Sequence, residues 1–169
     1  MRHAFLIAIV LLLSSWAGAA KIETSPEVGS YAPPFVLRDL EGKTVSLESL
    51  KGKVILLNFW ATYCVPCKTE MPSMNALYEA LKDKGFLVIA VSIDTSEKPV
   101  KSFVSGKRLR FPVVLDRDKE VFFDAYAVLG LPTSFLIDRN GIIVEKFIGP
   151  MEWGSTDMKD RILRLLTKK

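Results

Sequence analysis

Cysteine and histidine are almost missing from this sequence. Its 169 residues hold two cysteines, Cys64 and Cys67, and one histidine, His3. A four-cysteine or Cys/His zinc site within one chain is thereby excluded. So is Ser-His-Asp or Cys-His catalysis in the body of the protein. There is no block of Lys or Arg, and 23 basic against 19 acidic residues leave only +4. No nucleic-acid partner is expected from so mild and dispersed a charge. Internal repeats and low-complexity tracts are absent too. What is present is globular: 49% hydrophobic and 25% charged residues, at a length suited to one domain.

The one long apolar run lies at the start. Met1-Arg2-His3 is followed by uninterrupted apolar residues from Ala4 to Leu13, then by Ser14-Ser15-Trp16-Ala17-Gly18-Ala19-Ala20. Ala17 and Ala19 fit the small-x-small pattern of a signal peptide, with the cut after Ala19 or Ala20. The rival is an uncleaved membrane anchor, since residues 4–20 reach the short limit of a spanning helix. No cysteine near the boundary allows lipid attachment. Either way the folded part is expected in the periplasm or on the outer side of the cytoplasmic membrane. Residues 1–20 are thus a signal peptide or anchor, 21–30 a leader, and 31–169 the domain.

Within that domain strands and helices alternate, which predicts an α/β layered fold. Phe35-Val36-Leu37 and Thr44-Val45-Ser46-Leu47 flank a turn and read as a hairpin. Lys53 to Trp60 and Phe86 to Ile93 are near-continuous apolar runs, as in central strands buried on both faces. Between them Met71, Met74, Leu77, Tyr78 and Leu81 recur at helical spacing, and Gly85 stops the helix. Pro72 inside it predicts a kink. Ser96 is placed to cap a helix carrying Val100, Phe103 and Val104. Phe111 to Leu115 reads as a strand and Asp118 to Val128 as a helix. Ser134 to Ile137 and Ile142 to Ile148 form a hairpin around Asn140-Gly141, and Ser155 to Leu166 is the last helix.

Cys64-Val65-Pro66-Cys67 falls between a buried strand and a helix. Cys64 therefore lies at the helix N-terminus, where free N–H groups and the dipole favour a thiolate. The thiolate is the attacking species in disulfide exchange. Cys67, one turn on, is within reach to resolve a mixed disulfide. Pro66 suits an early helical position. A purely structural staple is a poor alternative, because so short a loop gains little chain entropy. Half of a metal site lacks its second pair.

The stretch Asn58-Phe59-Trp60-Ala61-Thr62-Tyr63-Cys64-Val65-Pro66-Cys67-Lys68-Thr69-Glu70-Met71-Pro72 resembles the active-site segment of thioredoxin-like proteins, more narrowly the exported TlpA/ResA/CcmG group. The resemblance continues in Phe111-Pro112-Val113-Val114-Leu115-Asp116 and Gly130-Leu131-Pro132-Thr133-Ser134-Phe135-Leu136-Ile137-Asp138. It implies a three-layer α/β/α sandwich with a mixed central sheet, an N-terminal hairpin and a helix–strand insertion. It also implies roles. Cys64 matches the nucleophile, Cys67 the resolving cysteine, Pro132 the cis-proline beside the CxxC, and Glu70 the acidic residue that follows the CxxC. Trp60, Tyr63, Val65, Pro66 and Leu131 are expected to face substrate. Tyr63 stands where the group usually has Trp, and Asn58 where cytoplasmic thioredoxins have a buried Asp. For Glu70 the bland alternative is a solvated helix carboxylate.

The resemblance implies a protein-disulfide oxidoreductase with no cofactor beyond its Cys64–Cys67 disulfide. Its partners would be proteins with disulfides, among them cytochrome c maturation or copper-site assembly proteins. Electrons would come from a membrane thiol donor. A monomer is expected. Donation of disulfides by an oxidase is the alternative, and Cu(I) carriage by the two thiolates a weaker one. Peroxide reduction on the same fold needs Pro and Thr seven and three positions before the cysteine. Leu57 and Ala61 stand there, so no antioxidant activity is expected.

Overall fold

The computed structural model describes residues 26–168. The expected signal peptide or anchor, and the leader up to residue 25, lie outside them. No helix among the described residues is long and apolar enough to cross a membrane. Seven strands form one sheet in the order β2-β1-β5-β4-β3-β6-β7. They are β1 (Val36–Asp39), β2 (Thr44–Ser46), β3 (Val54–Trp60), β4 (Phe86–Ser92), β5 (Val113–Leu115), β6 (Thr133–Ile137) and β7 (Ile143–Ile148). Three helices accompany them: α1 (Val65–Leu81), α2 (Glu97–Lys107) and α3 (Thr156–Thr167).

Every residue of β3 is buried, as its unbroken apolar run requires. It pairs parallel with β4 and antiparallel with β6, so the sheet is mixed and β3 is central. The N-terminal hairpin β1–β2 joins the sheet through β5. α2 and β5 intervene between β4 and β6 as the helix–strand insertion.

Alternation along β3 sorts the layers. Asn58 reaches Glu70 of α1, and Trp60 packs on Phe103 of α2 at 5.4 Å. Glu145 of β7 is on the same face, by its pairing with Leu136 and that of Leu136 with Leu56, and meets Arg161 of α3. All three helices therefore cover one face. Phe59 points to the other, where it meets Phe122, Tyr126 and Phe135 at 5.8, 5.2 and 6.1 Å.

That second layer corrects the sequence reading. Residues 118–128 do not form an α-helix; they hold a single π-helical turn, Val121–Ala125. Lys119 and Ala127 take positive φ of 61° and 43°, which ends helical geometry on either side. The Asp116 carboxylate accepts the N–H groups of Val121 and Phe122 and organises the turn instead. A second correction concerns Ser96. It occupies the N-cap position of α2, but its hydroxyl accepts no capping bond. Glu97, paired with Lys101 and Arg117, is the group that anchors this end. Ser155 does cap α3, accepting from the Met158 N–H.

The end of the expected leader is tied to the sheet. Gly29 N–H donates to the Ile143 carbonyl at 2.8 Å, and Ile143 N–H to that of Ser30 at 2.9 Å. Tyr31 bridges to Ile142, so these residues cover the start of the β7 edge.

Candidate active site

β3 ends at Trp60, the chain turns through 61–63, and α1 begins at Val65. Cys64 is the N-cap of α1, with an extended backbone, and its Sγ accepts the Cys67 N–H at 3.3 Å. Pro66 sits within the first two helical positions, where no N–H partner is needed. Cys64 and Cys67 form a disulfide with Cα atoms 5.3 Å apart. The two sulfurs differ in access. Cys64 retains 9% of its surface and Cys67 none. Around them Tyr63 and Val65 are each 67% exposed, Pro66 is exposed and Leu131 is half-buried. Trp60 overturns the expectation that it faces substrate. It is 0% exposed, because it points to the helix-covered face and Phe103 closes over it.

The second half of the site comes from β6. Thr133 pairs with Phe59, so Pro132, one residue earlier on an antiparallel neighbour, lies at the level of the end of β3. The Leu131–Pro132 peptide is cis, and Pro132 is buried. Its carbonyl accepts the Gly149 N–H at 2.9 Å, which fixes the turn after β7 against it.

Beneath the disulfide lies a polar group in an apolar core. Glu70, one turn after Cys67, is only 5% exposed, so it is not a solvated carboxylate. Its Oε1 accepts from Asn58 Nδ2 at 3.0 Å and its Oε2 from Met151 N–H at 2.9 Å. Burial pushes its pKa above the ordinary carboxylate value; the Met151 N–H, the nearby Trp153 indole and the Asn58 amide pull the other way without cancelling it. The Trp153 N–H falls short of hydrogen-bond geometry. Asn58 Nδ2 also donates to Ser134 Oγ at 2.9 Å, across the β3–β6 pair, while Asn58 Oδ1 makes no hydrogen bond.

Ser134 and Met151 are the site neighbours that sequence reasoning missed. Ser134 carried a signal, as a hydroxyl within a strand buried throughout. Met151 carried none, because it contributes a backbone N–H.

Chemically, the arrangement offers a cysteine with a little exposed surface at a helix N-terminus, a fully covered cysteine one turn in, and a buried carboxyl able to hold a proton. The positions that peroxide reduction would need are the fully buried apolar Leu57 and Ala61.

Known proteins agree with this chemistry. The sequence model of the AhpC/TSA family matches residues 28–146. The thiol-disulfide oxidoreductase ResA of Bacillus thuringiensis (strain Al Hakam) is 44% identical over 154 residues, 88% of each chain. ResA of Bacillus subtilis (strain 168) is 46% identical over 123 residues, 73% of this chain and 68% of that one. Among solved structures, the thioredoxin domain of a thiol-disulfide oxidoreductase from Bacteroides vulgatus superposes with a TM-score of 0.74 at 32% identity, covering 85% of this chain and 100% of that one. StoA from Bacillus subtilis gives 0.64 at 30% identity, over 80% and 98%. A CxxC disulfide at a helix start, on a thioredoxin-like sheet, with these relatives, places the chain in the AhpC/TSA family, among its ResA-like thiol–disulfide oxidoreductases.

Proposed function

We propose that the chain is an exported thiol–disulfide reductase that donates electrons from the Cys64–Cys67 dithiol to disulfides in other proteins. The Cys64 thiolate attacks one sulfur of the substrate disulfide and forms a mixed disulfide; the expelled substrate sulfur takes up a proton. The Cys67 thiol passes its proton to the Glu70 carboxylate and attacks Cys64. The second substrate sulfur leaves with the proton that Glu70 gives up, so the substrate departs as a dithiol, two electrons richer, and the Cys64–Cys67 disulfide remains. A membrane thiol donor then re-reduces it. Leu131, Tyr63, Val65 and Pro66 form the surface that receives substrate, with the cis Pro132 beneath it. Cytochrome c maturation proteins or proteins of copper-site assembly are the proposed targets, and the compartment is the outer side of the cytoplasmic membrane. The protein acts as a monomer.

The observation that carries the direction is the head of α1. Val65 and Pro66 are the residues between the cysteines, and no histidine follows residue 3. Nothing between the cysteines supplies the extra cationic stabilisation of a thiolate that makes a dithiol strongly oxidising. Equilibration with glutathione tests this. The expected potential is nearer thioredoxin, about −270 mV, than DsbA, about −120 mV. A value above about −180 mV, that of protein disulfide isomerase, would favour the oxidase instead. Tight Cu(I) binding by the reduced protein would favour the carrier.

A further inference from the structure

Among the described residues, the buried side-chain oxygen left without a partner is Asn58 Oδ1. Asn58 lies on β3 and is fully buried. Its Nδ2 donates to Glu70 Oε1 at 3.0 Å and to Ser134 Oγ at 2.9 Å, while Oδ1, on the other side of the same amide, meets no donor. Glu70 takes its second bond at Oε2, from the Met151 N–H. Both carboxylate oxygens thus face donors, the arrangement that an ionised Glu70 needs.

A protonated Glu70 needs something else. The Met151 N–H is a backbone donor and cannot accept, so the proton belongs on Oε1. There it meets Nδ2, and a donor facing a donor is costly in a buried site. Charged groups on the neighbouring elements do not help. Lys146 of β7 lies over the Phe135 ring on the opposite face of the sheet, Glu145 is paired with Arg161, and Glu152 in the turn after β7 is exposed. Lys68 of α1 makes no ion pair among the described residues, and the joined cysteines do not titrate. Half a turn of the Asn58 amide removes the conflict. Its oxygen and nitrogen are similar in size and its last torsion is roughly two-fold, so the rotation leaves packing unchanged. Oδ1 then accepts from Glu70 Oε1–H and from the Ser134 hydroxyl, which can donate as well as accept. Nδ2 moves to the side where Oδ1 had no partner, so no further polar atom is stranded.

We propose that Asn58 is a positioning residue whose carboxamide turns over with the proton on Glu70, Nδ2 inward for the carboxylate and Oδ1 inward for the acid. A buried carboxyl can then take up a proton and give it back with Oε1 hydrogen-bonded in both states. Burial lifts the Glu70 pKa, which brings the protonated form within reach. A carboxamide suits the task, since an ionised Asp offers only acceptors and Leu offers neither group. Use of the rotor in the reaction rests on Glu70 receiving the Cys67 proton, whereas the turnover itself requires only that Glu70 titrates.

The test is a pH titration of the full chain in its disulfide form, followed by nuclear magnetic resonance with isotope-labelled carbon and nitrogen. The Glu70 carboxyl carbon reports protonation. Cross-relaxation between the Asn58 amide protons and the Ser134 β protons reports the rotor. That contact should be strong above the Glu70 midpoint and collapse below it, with one midpoint shared by both signals. In Glu70→Gln, which never ionises, the Asn58 signals should stay constant with pH; should that variant not fold, the parent titration decides alone. An Asn58–Ser134 contact equal on both sides of the Glu70 midpoint overturns the rotor and leaves the function reading standing. A Glu70 carboxyl that keeps one charge state throughout also overturns it, because the amide then has nothing to follow. The function reading is tested apart, by iodoacetamide on the reduced chain with the labelled cysteine mapped by mass. Label arriving first on Cys67 overturns that reading and leaves the rotor standing.

Discussion

Glu70 shows how burial gives a common side chain a special role. Its carboxyl is lifted above the ordinary range by desolvation, and three neighbours offset that only in part. The uncharged form carries no desolvation cost and the ionised form does. The contribution of Glu70 to stability is therefore intact below the ordinary carboxyl pKa and is lost as pH rises through the raised value. Glu70→Gln never ionises, so its stability relative to the parent should improve between pH 4 and pH 8. Melts at both pH values should show the advantage of the variant growing toward pH 8. An advantage equal at both pH values would refute the buried proton. The same variant should lower the thiol pKa values by removing a like charge, and slow the steps that need a proton moved. The sequence made Glu70 visible by its spacing from Cys67. It could not show the Met151 N–H that holds Oε2, because a backbone donor 81 residues away leaves no mark in side-chain chemistry.

The elements that were legible are those with one dominant signal. β3 and β4 announce themselves by unbroken apolar runs, and α1 by apolar residues at three and four. Residues 118–128 misled because Phe122 and Tyr126 are four apart and both buried, a spacing that one wide turn satisfies as well as a helix. Trp60 misled for a related reason. Alternation says which residues share a face, not that Phe103 covers this one. The π-helical turn can be tested through its organiser. Asp116 is buried and accepts the Val121 and Phe122 N–H groups. Asp116→Ala should cost about 1–2 kcal/mol, the usual loss for a capping side chain. In urea unfolding that would appear as a lower midpoint with an unchanged slope. A midpoint equal to that of the parent would mean the turn is held without Asp116, by its own backbone hydrogen bonds and the packing of Phe122 and Tyr126.

Across the molecule, the sheet brings distant segments to one end. The turn after β3 carries Cys64, Pro132 just before β6 lies at the level of the end of β3, and the turn after β7 reaches both Pro132 and Glu70. The function proposed for that end depends on Cys64 attacking and Cys67 resolving. Trapping decides it, with single-cysteine variants produced in cells as the exported full chain. Mixed disulfides with other proteins are read on non-reducing gels and mapped by mass. Cys67→Ala should accumulate such adducts through Cys64, because no second thiol is left to release them. Cys64→Ala should accumulate none, since the remaining sulfur is fully buried in the fold. Adducts on Cys64→Ala, or none on Cys67→Ala, would reverse or remove these roles.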